Sequence, residues 1–96
     1  MQDPTPQPRV QLSPVVEHDP TTQTYAAWCD ELAVATSGST AQEAQDALLN
    51  AMRLAAEYVL GNARSARSTF FAYVPWAEAV ASRSDDELKA LMDVRT

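Results

Sequence analysis

One stretch limits the possible folds of this chain more than any other: Gly38-Ser39-Thr40-Ala41-Gln42-Glu43-Ala44, which marks the start of a long helix. Thr40 offers a hydroxyl to the first turn. Glu43, three residues on, can reach back to the cap amide, so the two form a capping box. Glu43 also suits the positive end of the helix dipole. Gly38 permits a sharp turn into the cap without a Cβ penalty. Downstream, Ala44, Ala47, Leu48, Ala51, Ala55, Tyr58 and Val59 recur at three- and four-residue steps. The spacing predicts a helix over 41–60 with one apolar stripe. Gly61-Asn62 reads as its stop, and the many alanines suit a close approach to a sheet.

The residues before the helix read as sheet. Val10, Leu12 and Val16 fall on alternate positions with polar residues between them, as in a strand with one buried face. Pro14 restricts that strand to an edge or a bulge. Residues 18–24 punctuate the chain as a turn. Next, Tyr25, Ala27 and Cys29 lie on one side and Ala26 and Trp28 on the other, which predicts the second strand of a hairpin. Asp30-Glu31 interrupt, and residues 32–37 read as a third strand in a meander. After the helix, β-formers over 68–74 predict a fourth strand that Pro75 ends. Residues 76–84 offer one or two helical turns. Ser84 and Glu87 form a second capping box, with Leu88, Leu91 and Met92 as the stripe of a short final helix.

The predicted order is therefore β-β-β-α-β-α, an α+β fold. Its parts are a flexible Pro-rich tail at 1–8, a domain at 9–75 and a helical extension at 76–96.

Composition narrows the functions available. The chain has 96 residues and a formal net charge of -6. That balance disfavours a phosphate backbone as partner and suits a basic protein, or simple solubility. Arg64 and Arg67, beside Ser65 and Ser68, either hold phosphate or complement a helix C-terminus; two arginines do not make a nucleic-acid footprint. Cys29 is alone, which excludes an internal disulfide and fits a reducing, cytoplasmic setting. With only His18 beside it, no common zinc site can be assembled. No apolar run is long enough to span a bilayer, and the start of the chain lacks a secretory pattern.

No catalytic constellation stands out. Asp19, Asp30, Glu31 and Glu43 are the carboxylates nearest the predicted strand ends and helix start, where a metal pair would need them. Turn chemistry accounts for Asp19, and capping accounts for Glu43. Adjacent Asp30 and Glu31 diverge if the segment is extended. The acidic run Asp85-Asp86-Glu87 complements a helix dipole. His18 has no partner placed by sequence, and the spacing of Cys29 makes it a small buried residue. No cofactor or metal is expected, and no enzyme activity. Trp28 is different: it lies on the strand face away from Tyr25. It either anchors a partner or is covered by the C-terminal segment, with Trp76 or Leu91 closing over it. Phe70, Phe71 and Tyr73 alternate imperfectly, so one of them should face outward.

A three-stranded meander running into Gly38-Ser39-Thr40-Ala41-Gln42-Glu43-Ala44, then Ala47 and Ala51 at helical steps, resembles the N-terminal domain of the HicB family of antitoxins. Val15, Val16 and Glu17 resemble the end of that family's first strand, and Tyr25 and Ala27 fit its second. The match covers residues 10–60. The chain departs from the family in one loop: where HicB-like domains carry Pro-acidic-Leu-Pro-Gly, it has Cys29-Asp30-Glu31-Leu32-Ala33. The resemblance implies a partial RNase H-like fold, β-β-β-α-β, followed here by a short helix. It also implies an antitoxin that binds and occludes a small basic HicA-like toxin, an RNA-cleaving protein. Many such antitoxins add a DNA-binding domain, which nothing after Pro75 resembles. On this expectation Trp28, Asp30 and Glu31 are the partner-binding residues, and Gly38, Thr40 and Glu43 form the helix cap. The alternative is a stand-alone HicB-like module, homo-oligomeric and structural or ligand-binding.

Overall fold

A computed structural model describes residues 11–62 and 72–95. The predicted tail at 1–8, Arg64, Arg67, Phe70 and Phe71 lie outside the described residues. Strands β1 (Val15–Asp19) and β2 (Thr24–Cys29) form an antiparallel hairpin, with Val16 opposite Ala27 and His18 opposite Tyr25. The turn between them is built by Asp19, whose Oδ1 accepts the Thr21 N–H at 2.9 Å. A short 3-10 turn, Asp30–Leu32, leads into β3 (Val34–Gly38), which pairs antiparallel with β2. The meander is as expected and β2 has the expected bounds, while β1 and β3 begin later than expected. The first strand begins at Val15 rather than at residue 10, because Pro14 breaks the pairing. Leu12 still reaches the core from outside the strand.

Helix α1 (Ala41–Asn62) starts at Thr40, whose Oγ1 accepts the Glu43 N–H at 3.0 Å. The carboxylate of Glu43 turns back one residue further than expected: it accepts both the N–H and the hydroxyl of Ser39. Gly38 is needed for space rather than for an unusual dihedral. A Cβ there would lie 2.6 Å from the Ala44 nitrogen and 2.9 Å from the Glu43 carbonyl carbon. Gly61 and Asn62 do not stop the helix but belong to its last turn.

The buried face of α1 is Ala44, Leu48, Met52, Ala56 and Val59. Tyr58, expected on the stripe, is 58% exposed. The second half of the stripe is rotated because α1 has two neighbours, the sheet beneath and helix α2 (Val74–Ala81) alongside. Ala77 and Val80 of α2 join the same core.

The expected strand over 68–74 is contradicted wherever it can be seen. Ala72 and Tyr73 form a 3-10 turn, Val74 opens α2, and Pro75 sits in the first turn of that helix. Proline's fixed φ and missing N–H suit that position, so here it begins a helix rather than ending a strand. Tyr73 packs against the core. The short final helix, α3 (Asp85–Leu91), has the expected capping box: Ser84 N–H to Glu87 Oε1 at 2.8 Å and Glu87 N–H to Ser84 Oγ at 3.1 Å. Leu88 and Met92 are buried, while Leu91 is 39% exposed.

After α3 comes β4 (Asp93–Arg95), which pairs parallel with β1 and gives the sheet order β3-β2-β1-β4. The fold is thus α+β, with a mixed four-stranded sheet and α1 across one face. Arg53 of α1 ties the helices together. Its guanidinium donates to Val80 O and Arg83 O, each at 2.8 Å, and pairs with Asp85 Oδ1 at 2.7 Å. One side chain thus holds the end of α2 and the start of α3.

Candidate partner-binding surface

Strand register sorts the sheet residues into two faces. Val16, Ala27 and Thr36 lie on the α1 side. Val15, Trp28 and Ala35 form a row across the opposite side, and Glu17, Ala26 and Ser37 form the next. Strand β4 extends both rows, placing Asp93 beside Val15 and Arg95 beside Glu17. Among the described residues, α2 and α3 pack on α1 and not over this second face. Trp28 is half-buried there, and Val15 beside it is buried. Trp76, which could have closed over Trp28, packs instead against the core with α2.

The surface is electrostatically uneven. Arg95 pairs with Asp93 at 2.8 Å and with Glu17 at 3.5 Å, Lys89 pairs with Asp46 at 2.6 Å, and Arg53 pairs with Asp85. These cations are spent on the chain's own carboxylates, so the acidic excess faces outward. Asp30 is exposed at the tip of the 3-10 turn that follows Trp28. Glu31 is not presented in the same way: its Oε1 accepts the Ser13 N–H at 2.8 Å and faces the Cys29 thiol at 3.3 Å. It fastens the segment before β1 to the turn. The structure therefore puts Trp28 and Asp30 at one end of β2 and turns Glu31 inward beside them.

The turn closes on Ala33, which has a left-handed backbone at φ 56° and ψ 42° and donates its N–H to Asp30 O at 3.1 Å. Glycine is the residue that adopts such a φ without penalty. The turn thus holds an alanine in a backbone conformation that favours glycine.

Burial, followed by the hydrogen bond to Glu31, pushes the Cys29 thiol up to about 12. At neutral pH it is a packed thiol and no nucleophile. Asp19 is held below its ordinary value, chiefly by the Thr21 backbone N–H. His18 lies against Tyr25, ring centres 5.0 Å apart. No group of three His, Cys, Asp or Glu residues is placed to hold a metal ion among the described residues. No helix among them is long and apolar enough to cross a membrane. A groove of about 190 Å³ between α1 and α2 is lined by Arg53, Ala56, Glu57, Leu60, Val80 and Ala81.

No family model, no curated protein and no solved structure matches this chain. Alternation along β2 was enough to place Trp28 on the outer face. The Asp93–Arg95–Glu17 cluster and the Arg53 clasp carried no comparable signal, since each joins residues far apart in the chain.

Proposed function

We propose that the chain is a HicB-like antitoxin that binds a small basic HicA-like RNA-cleaving toxin and occludes it, with no catalytic step of its own. The observation that carries this reading is the outer face of the sheet. It presents an aromatic anchor, Trp28, beside exposed Asp30, in a chain whose net charge is -6 and whose described cations are largely paired internally. Buried aromatics supply most of the energy in such interfaces, and complementary charge supplies rate and selectivity. Trp28 and Asp30 act as contacts; Glu31 shapes the loop that presents them. The meander with one long helix on one face is what the family resemblance implies, and it supports the reading.

The test asks whether a short basic protein is encoded beside it and, where one is, co-expresses the two; absence of any such neighbour refutes the proposal. Growth arrest by the neighbour should be relieved, and the two should copurify as a complex of defined mass. Trp28→Ala with Asp30→Lys should abolish both effects while the chain stays folded. A neighbour that neither arrests growth nor binds refutes the proposal.

A second reading, a homo-oligomeric module without a toxin, is favoured by one observation. β3 is an edge strand, and Val34–Gly38 contains no charge and no proline to discourage pairing with another strand. Light scattering on the isolated chain decides it. A dimer that Ser37→Lys, on the exposed outer face of β3, leaves intact rules out the β3 edge.

A further inference from the structure

We propose that β4 is a displaceable strap, and that the outer edge of β1 beneath it is a docking edge for an extended basic segment of the protein partner. The proposal rests on the reading of this chain as a binder of a basic protein. Three observations carry it. First, β4 is held weakly. It has three residues, all exposed, and its one apolar residue, Val94, is 39% exposed. Its ion pairs through Arg95 are open to solvent, where such contacts contribute little. Short exposed elements with little buried apolar surface open first in native proteins. Second, β1 outruns β4. Pairing covers Val15 to Glu17 and stops before His18 and Asp19, so part of the β1 edge has no strand beside it among the described residues.

Third, the strap shows what the edge accepts. Asp93 N–H enters by donating to Pro14 O at 2.9 Å, Val94 then lies beside Val16, and Arg95 lies beside Glu17. Asp19 follows Glu17 on the same face, two positions along. Its carboxyl is kept anionic by the turn that follows it. A docking strand is therefore selected as apolar, cation, any residue, cation, in parallel register with β1. Backbone pairing gives affinity and the alternate side chains give selectivity, as in other strand-addition complexes. The strap occupies the edge in cis and lowers the apparent affinity of any strand that competes for it.

The test uses the full chain with Asp93→Pro, which removes the N–H that donates to Pro14 O, and separately Arg95→Glu, which sets a like charge against Glu17. In the unmodified chain, amide exchange at β4 should be at least about tenfold faster than in the β1–β2 ladder, as expected for local opening. Equal protection overturns the strap. A synthetic peptide of residues 89–96, at millimolar concentration, should shift the Val15, Val16 and Glu17 amide signals of either variant and leave those of the unmodified chain unchanged. Failure with both variants overturns the docking edge. A short basic protein encoded beside this chain should bind the variants about tenfold more tightly than the unmodified chain, as release of an internal competitor demands. Equal or weaker binding overturns the assignment of this edge to the partner. A chain that takes the peptide and ignores the co-encoded protein keeps the edge and refutes the antitoxin reading.

Discussion

Replacing Ala33 with glycine should stabilise this protein, which is the reverse of what that substitution does in ordinary sheet or helix. Ala33 holds φ 56° and ψ 42°, and its side chain is exposed, so no packing is lost when the methyl is removed. An L-residue in the left-handed region is penalised by about 1–2 kcal/mol, because Cβ crowds the following carbonyl. Glycine escapes that penalty but loses about 0.5–1 kcal/mol through the extra freedom of the unfolded chain. The difference leaves a net gain of about 0.5–1 kcal/mol, and for a domain of this size each 1 kcal/mol moves Tm by about 4–8 °C. Ala33→Gly should therefore raise Tm by about 2–8 °C. The control is Ala35→Gly, two positions along on β3, where the alanine is also exposed but the backbone is extended. That change carries only the glycine penalty and should lower Tm by a similar amount. Thermal melts by circular dichroism, repeated as urea titrations, measure both. If the two substitutions shift stability in the same direction, the left-handed assignment at Ala33 is wrong.

Gly38→Ala should destabilise by about 1–3 kcal/mol, an overpacking cost, because the added carbon meets the backbone of Ala44 and Glu43 and not a side chain that can move aside; urea titration measures it. Arg53→Met keeps the aliphatic stem but removes the donors that hold Val80 O, Arg83 O and Asp85. A loss of about 1.5–3 kcal/mol, typical of hydrogen bonds from a charged group, should appear in the same assay, with amide exchange accelerating first in α3. Acid should weaken the two caps. The Glu43 carboxyl is held below its ordinary 4.5 by the Ser39 hydroxyl and then its N–H, and Glu87 by the Ser84 N–H and then its hydroxyl. A carboxyl whose value is lower folded than unfolded stabilises fully above the unfolded value, and that contribution fades as pH falls through the folded one. Unfolding midpoints should therefore drop below pH 4.5, and Ser39→Ala with Ser84→Ala should flatten that drop.

Much of the fold was legible because it is written locally. Both helix caps need only side chains within four residues, and the outward position of Trp28 needs only the alternation along one strand. Legibility failed where a distant neighbour decided the outcome. Periodicity alone points the α1 stripe at the sheet. Met52 and Ala56 are buried because α2 packs alongside, and Tyr58 is rotated outward as a result. Pro75 was read as the end of a strand because β-formers precede it, yet the same fixed φ suits the first turn of a helix, and the packing of Ala77 and Val80 selects the helix. Glu31 looked like a surface acid next to Asp30, and the 3-10 turn aims it at the Ser13 N–H instead.

Strand β4 is the extreme case. Asp93-Val94-Arg95 has no run of β-formers and no alternation long enough to notice, and its partner Glu17 lies 78 positions away. Its structure comes from the slot that β1 offers and not from its own propensity. An element specified that way has little to keep it in place once its partner's edge is contested. The feature that hid β4 from the sequence is therefore the feature that makes it the strand most easily exchanged.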